Sequence, residues 1–313
     1  MRAVIALGGN AMTARDGGAG PDDQRLAVER AMRHVAAIVS AGHQVVLTHG
    51  NGPQVGNLLV KNEMAAAVVP PVPLDWCGAQ TQGTIGFLFL NALERALADR
   101  GIATPVAALV SRTLVGIDDP GFARPSKPIG RYLPRAEAKV MIEHGQLWED
   151  RGERGWRRVV ASPQPREFLD QPAAMALLDA GFVVTCAGGG GIPVVADGAG
   201  GYGGIEAVID KDLTAALLAS AIGADALVIA TDVEAAVLGW GTPDARPLGT
   251  ISVAELRGHA ARGEFASGSM GPKVEAACRF AESGRGFAVI ASLERIEEAL
   301  AGTSGTVVTA AEE

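Results

Sequence analysis

The 313-residue chain is poor in aromatic residues (4%), has only three cysteines, and contains no apolar run long enough to span a membrane. Cys77, Cys186 and Cys278 lie far apart without a C-x-x-C pair. That spacing excludes a disulfide framework and a zinc knuckle, and all three read as small buried hydrophobes. The opening MRAVIALGGNAM carries too short an apolar run for a signal peptide, so a cytoplasmic protein without a membrane partner is expected. An excess of positive charge is also missing: 27 Lys and Arg against 35 Asp and Glu give a formal charge of −8. This excludes a protein built to coat nucleic acid or an anionic membrane, but not a local site for a small anion. The five histidines show no metal-ligand spacing such as H-E-x-x-H. Lysine itself is scarce. Only Lys61, Lys127, Lys139, Lys211 and Lys273 occur among the 27 basic residues. A chain that uses arginine by default is expected to keep lysine where a compact ammonium cannot be replaced by a planar fork.

What is present is glycine, 41 residues of it, in a chain that is 48% hydrophobic, the composition of a globular enzyme rich in tight turns. The length fits one large α/β domain or two lobes. Ala3 to Leu7 is an apolar run ending in Gly8-Gly9-Asn10, a buried strand entering a glycine turn. Asp22 then stands where it could cap a helix with Val28, Met32, Val35 and Val39 on one face and Gly42 at its end. Gln44 to Thr48 reads as the next strand, leading into His49-Gly50-Asn51-Gly52-Pro53, and Asp75 stands ready to cap a long helix reaching Asp99. This βαβ alternation implies a mostly parallel sheet with right-handed crossovers. Between 116 and 170 the texture changes: 19 of these 55 residues are charged, against 43 of the other 258. Such a stretch is not a core element and reads as a protruding lid with hairpins near Glu149 to Gly152. Beyond it, Phe182 to Cys186 is a strand running into Gly188 to Gly191, DLTAALLASAI is a sandwiched helix, and Ala226 to Ala230 is a strand ending in Thr231-Asp232-Val233.

Three strands thus end in glycine clusters, and at the carboxyl ends of parallel strands such clusters let backbone N–H groups approach an anion. The alternative for any single cluster is that it merely turns the chain. Gly198-Ala199-Gly200-Gly201-Tyr202-Gly203 matches G-x-G-x-x-G, but no amphipathic helix opens on its last glycine, so its context is wrong for a dinucleotide site. No Walker A motif exists. Lys211 and Lys273 each stand in the first turn of an expected helix, where a cation opposes the macrodipole by about 0.3–1 kcal/mol. Pro272, read as a first helical residue, would fix Lys273 there. Something negative should face each. For Lys211 the flanking aspartates, with Asp210 as helix cap, are as good an answer as a ligand. Lys273 has only Glu275 nearby in sequence, so a ligand phosphate is the better answer. Lys61 and Lys139 read as surface residues, and His49 as a structural hydrogen-bonding group. Glycine backbone and lysines around phosphates suit phosphoryl transfer, in which positioning and charge neutralisation supply most of the catalysis.

At these residues the chain resembles the amino acid kinase family over essentially its full length. The resemblance is carried by Ala6 to Ala11, Thr48 to Gly56, Pro73-Leu74-Asp75 with Gln82-Gly83 and Ile85-Gly86, Ala187 to Val194, Glu206 to Leu213, and Gly268 to Ala276. It implies a homodimeric three-layer α/β/α sandwich around a mostly parallel open sheet. A carbamate-binding lobe would span residues 1–180, including the lid at about 116–170, and a nucleotide lobe 181–313. It implies reversible transfer of phosphate between MgATP and carbamate, with ADP and carbamoyl phosphate as products and Mg²⁺ held through the phosphates. Carried onto this sequence, Gly8, Gly9, Asn10, Gly50, Asn51 and Gly52 would cradle carbamate and the transferring group. Lys127 from the lid would join Lys211 and Lys273 in neutralising charge, and Asp212 would orient lysines. Asp210, Thr231, Asp232, Val233, Met270 and Gly271 would serve the nucleotide. Around Lys127 the chain departs from the family pattern, reading RPSKPIGRYL where a Thr before the lysine and Pro-Phe-Tyr after Ile-Gly are usual. A kinase of another small acid or phosphonate, or a silent ligand-sensing module, are the competing readings.

Overall fold

A computed structural model describes residues 1–9, 12, 20–266 and 268–310. Its centre is an eight-stranded sheet in the order Ile251–Ser252, Thr306–Thr309, Phe287–Ser292, Ala226–Thr231, Arg2–Leu7, Gln44–His49, Val183–Thr185 and Val106–Ala108. The six strands from Phe287–Ser292 onward are parallel, whereas Thr306–Thr309 runs antiparallel to its neighbour and has Ile251–Ser252 alongside in its own direction. Arg2–Leu7 lies between Gln44–His49 and Ala226–Thr231, so both halves of the chain meet in one sheet.

Alternation along the strands builds a core on each face. Ala3, Ile5 and Leu7 point to one side, where Val28, Met32, Val35 and Val39 of helix Pro21–Ser40 and Ile85 and Phe89 of helix Leu74–Ala98 cover them. Val4 and Ala6 point to the other, under Ala215 and Leu218 of helix Lys211–Ala221 and Val274 and Phe280 of helix Met270–Glu282. Burial on both faces is why these strands read as unbroken apolar runs. The result is the three-layer α/β/α sandwich expected from the sequence.

Several helix starts differ from their sequence reading. Gly20, not Asp22, is the N-cap of Pro21–Ser40, and the Asp23 carboxylate accepts the Gly20 N–H at 3.2 Å. Pro73 precedes Leu74–Ala98, and Asp75 sits in its first turn. Pro272 is the third residue of Met270–Glu282, not the first, because the helix begins one short turn earlier.

The charged stretch folds outside the central sheet. Lys127–Leu133, Trp156–Val160 and Trp148–Asp150 make an antiparallel three-stranded sheet, with Leu133, Ala138 and Trp148 as a small core against helix Arg135–Glu143. It leans on helix Gly52–Ala65, where Ile129 and Val160 meet Val55 and Leu59. There the backbones come close: a Cβ on Gly56 would stand 3.7 Å from the Gly130 Cα, and Gly130 has φ +67°. A separate four-stranded sheet contains the antiparallel pair Ile192–Ala196 and Tyr202–Gly204. The G-x-G-x-x-G match is the connection and second strand of this pair, held by Asp197 accepting the Ala199 and Gly201 N–H groups. The next helix, Lys211–Ala221, does not open on its last glycine, in line with its rejection as a dinucleotide site.

Candidate functional site

Four neighbouring parallel strands deliver their carboxyl ends to one edge of the sheet. At or just beyond those ends stand Thr231-Asp232-Val233, Gly8-Gly9, Gly50-Asn51-Gly52 and Ala187 to Gly191. Gly50 N–H donates to the Leu7 carbonyl at 3.0 Å, tying two of these turns together. A Cβ on Gly50 would lie 3.5 Å from Lys211 Cδ and 3.7 Å from the Gly9 nitrogen, so Gly50 lies between the Lys211 side chain and the first glycine turn. Asn10 lies outside the described residues.

Lys211 and Asp212 open helix Lys211–Ala221. Lys211 Nζ donates to Asp212 Oδ1 at 2.5 Å, and Lys273 Nζ, from another helix, donates to Asp212 Oδ2 at 3.0 Å. The Asp212 carboxylate is 5% exposed, and an isolated charge there would be strongly unfavourable. Burial alone would raise its pKa, but the two ammonium groups outweigh burial and hold it at about 2. Burial, with the like charge of Lys273, pulls the Lys211 ammonium below the ordinary lysine range despite Asp212. Lys273 therefore faces Asp212 and not the nearby Glu275, which is engaged by Arg257 and Arg279. Lys127 Nζ, from the protruding sheet, donates to Asp210 Oδ2 at 2.8 Å. The flanking aspartates do answer Lys211, with Asp210 as the helix cap and Asp212 accepting its ammonium, and the lysine's side chain also lies against Gly50. Lys61 and Lys139 are exposed.

The third glycine cluster differs from its reading as an anion cradle. Gly188 to Gly190 are buried, and Gly189, Gly190 and Gly191 have φ of +68°, +92° and +87°. A Cβ on Gly188 would strike His49 Nε2 at 2.3 Å, and one on Gly189 would strike Asn51 Nδ2 at 2.2 Å. These glycines let His49 and Asn51 close in from behind the site. Asn51 donates to Thr81 Oγ1 at 2.9 Å, and Gln82 donates to the Gly188 carbonyl at 2.8 Å while accepting the Ser111 N–H. Neither Thr81 nor Ser111 is marked by the sequence: Thr81 adjoins the Gln82-Gly83 motif, and Ser111, 29 positions from Gln82, carries no signal. Burial pushes the His49 imidazole down to about 4, with the Lys211 charge adding to the effect, so it is neutral near pH 7 and works as a structural group.

Beside Lys273 lies a cavity of about 200 Å³, lined also by Thr231, Asp232, Val233 and Met270 and walled by Val237, Trp240 and Phe265. Gly271 follows Met270 without lining it, and Asp210 stands apart from it at Lys127. Trp240 and Phe265 carry no periodic or motif signal that would have found them. A larger cleft of about 860 Å³ lies between helix Gly52–Ala65 and the protruding sheet and contains none of the candidate site residues. Arg131, the departure noted near Lys127, pairs with Glu63 of that helix at 3.2 Å.

Residues 1–292 match the amino acid kinase family. The chain is 45% identical to a carbamate kinase of Thermococcus kodakarensis, with 98% of each chain covered. It is 42% identical to carbamate kinase 2 of Enterococcus faecalis, again over 98% of each. A solved carbamate kinase of Giardia lamblia bound to AMP-PNP superposes with a TM-score of 0.92 at 40% identity, covering 98% of both chains.

Proposed function

The chain belongs to the amino acid kinase family, and we infer that it acts as a carbamate kinase, moving a phosphoryl group reversibly between ATP and carbamate. The observation that carries this reading is the gathering of Lys127, Lys211 and Lys273 around Asp210 and Asp212, between two glycine turns and the cavity at Met270. In the ATP-forming direction the bond between phosphorus and the carbamate oxygen breaks as an ADP β-phosphate oxygen bonds to phosphorus. The acceptor is already an anion, so no general base is required. Gly8, Gly9, Gly50, Asn51 and Gly52 hold carbamate and the phosphoryl group. The lysines offset the charge on its equatorial oxygens. Lys273 touches both the cavity and Asp212, so it sits where the ADP phosphates meet the transferring group. Thr231, Asp232, Val233 and Met270 receive the nucleotide.

Among the described residues no three His, Cys, Asp or Glu side chains converge as a metal cage, and Asp210 and Asp212 both face ammonium groups. These residues fit Mg²⁺ carried in on the phosphates, where it would supply further charge neutralisation. No described helix is long and apolar enough to cross a membrane. Three free, buried thiols support residence in the reducing cytoplasm. A homodimer is supported by Trp76 and Phe87, each 60% exposed and three turns apart on one face of helix Leu74–Ala98.

A coupled assay for ATP from carbamoyl phosphate and MgADP tests the activity. Turnover with carbamoyl phosphate is expected; turnover only with a different acyl phosphate would reassign the substrate.

A further inference from the structure

We propose that Asp210 is a positioning residue: it holds Lys127 of the protruding sheet at the phosphoryl site before substrate arrives. The inference rests on the kinase reading above. Its carboxylate uses both oxygens. Oδ1 accepts the N–H groups of Asp212 at 3.0 Å and Leu213 at 3.4 Å, so it is locked as the cap of the helix that carries Lys211. Oδ2 accepts Lys127 Nζ at 2.8 Å, across 83 positions of sequence. One side chain thereby fixes the lid lysine to the same helix end that presents Lys211 and Asp212.

Three observations make this more than a surface ion pair. The Asp210 side chain is only 14% exposed, and the helix N-terminus favours an anion at that point. The other links between the protruding sheet and the body run through Ile129, Gly130, Arg131, Arg158 and Val160, and none of them involves the Lys127 side chain. The charges also balance in a useful way. Asp212 serves Lys211 and Lys273, and Asp210 serves Lys127, so three ammonium groups stand near two carboxylates and leave one net positive charge for an incoming phosphate.

Chemistry then explains why the pair need not break on binding. An ammonium has three donors, and Asp210 occupies one of those on Lys127. The other two can reach phosphoryl oxygens while the tether holds. Fixing a flexible four-carbon side chain in advance removes the ordering cost at the moment of reaction.

The test compares wild type with Asp210→Asn, which keeps an oxygen for the helix cap and loses the charge that holds Lys127. The first readout needs no activity: reductive methylation of the intact protein, followed lysine by lysine by mass spectrometry, with exposed Lys61 and Lys139 as internal references. Lys127 should react at least about threefold faster in the variant while Lys211 and Lys273 keep their wild-type rates. An unchanged Lys127 rate overturns the proposal, and faster labelling of all the lysines, which would show a role in folding alone, overturns it as well. In the kinetic arm, Asp210→Asn should lower kcat/KM for carbamoyl phosphate about tenfold with KM for ADP within about twofold of wild type. Lys127→Ala and the double variant should then be equally impaired, because the carboxylate acts through the lysine. Additive losses would overturn the assignment. If wild type itself made no ATP, the kinase reading would fail, and the labelling result would still decide whether Asp210 holds Lys127.

Discussion

A carboxylate buried as deeply as that of Asp212 stays ionised because Lys211 and Lys273 face it, and removing its charge leaves two ammonium groups crowded in a dry site. Asp212→Asn should therefore cost about 3–5 kcal/mol of stability at neutral pH. It should also lower turnover by roughly 100-fold or more, by analogy with the loss of other preorganised electrostatic groups. Urea titration and the ATP-forming assay measure the two effects, and wild-type stability in the variant would contradict the pairing. Acid sensitivity separates two residues. Asp212 has a folded pKa of about 2, below its unfolded value of about 3.9, so its contribution is complete above pH ~4 and is lost as pH falls through about 2. His49 has a folded pKa of about 4 against 6.5 unfolded, so its contribution is present above about pH 6.5 and is lost as pH falls toward 4. That loss amounts to up to about 3 kcal/mol. Urea midpoints at pH 7, 5.5 and 4.5 should fall steeply for wild type and more gently for His49→Gln; parallel curves would show that the imidazole is not held neutral. The scarcity of lysine marked Lys127, Lys211 and Lys273 in the sequence, but it could not show which anion each one faces. Lys273 illustrates the gap: its partner lies 61 positions away, across an interhelical contact that no local pattern encodes.

At the scale of elements, glycine-ended strands are easy to read and their division of labour is not. Gly50 lies against Lys211, whereas Gly188 to Gly191 are packed from within by His49, Asn51, Ile209 and Thr113. A run of glycines looks the same in sequence whether it faces a ligand or a neighbouring side chain. Gly189→Ala would place a Cβ against Asn51 at a backbone φ of +68°, which combines overpacking with a left-handed strain. We expect a cost of about 2–4 kcal/mol, seen as a melting point lowered by several degrees, with weaker use of carbamoyl phosphate as Asn51 is displaced. Gly203→Ala, where a Cβ meets nothing within 4 Å and φ is not positive, should melt and turn over like wild type. Equal behaviour of the two variants would refute the packing role. Helix starts show the same limit. Asp22, Asp75 and Pro272 carry real start signals, yet each lies inside its helix, because the turn geometry before it sets the first residue.

Considered as a whole molecule, the fold joins two half-sheets at Arg2–Leu7 and Ala226–Thr231 and carries a highly charged outlier on top. The exposed Trp76 and Phe87 face is unusual in a chain this poor in aromatics. We predict that the protein sediments as a dimer at micromolar concentration and that Phe87→Glu shifts it to a monomer. A monomeric wild type would remove that face as the interface. Lid and body share a modest apolar contact around Ile129 and Leu59, so their link is expected to be looser than the central sheet.

Composition and period were enough to determine the βαβ series with its mostly parallel sheet, the outlying charged segment and three of the lysines worth following, while the three-layer sandwich was legible through the resemblance to the amino acid kinase family. Burial on two faces writes an apolar run, solvation writes a charged one, and a scarce residue type stands out by count. Tertiary structure alone decided that Asp210 and Asp212 divide the three lysines, that one glycine cluster is packing, and that Trp240 walls the cavity beside Lys273. Those facts depend on distances between residues tens to hundreds of positions apart, and only the folded chain sets such distances.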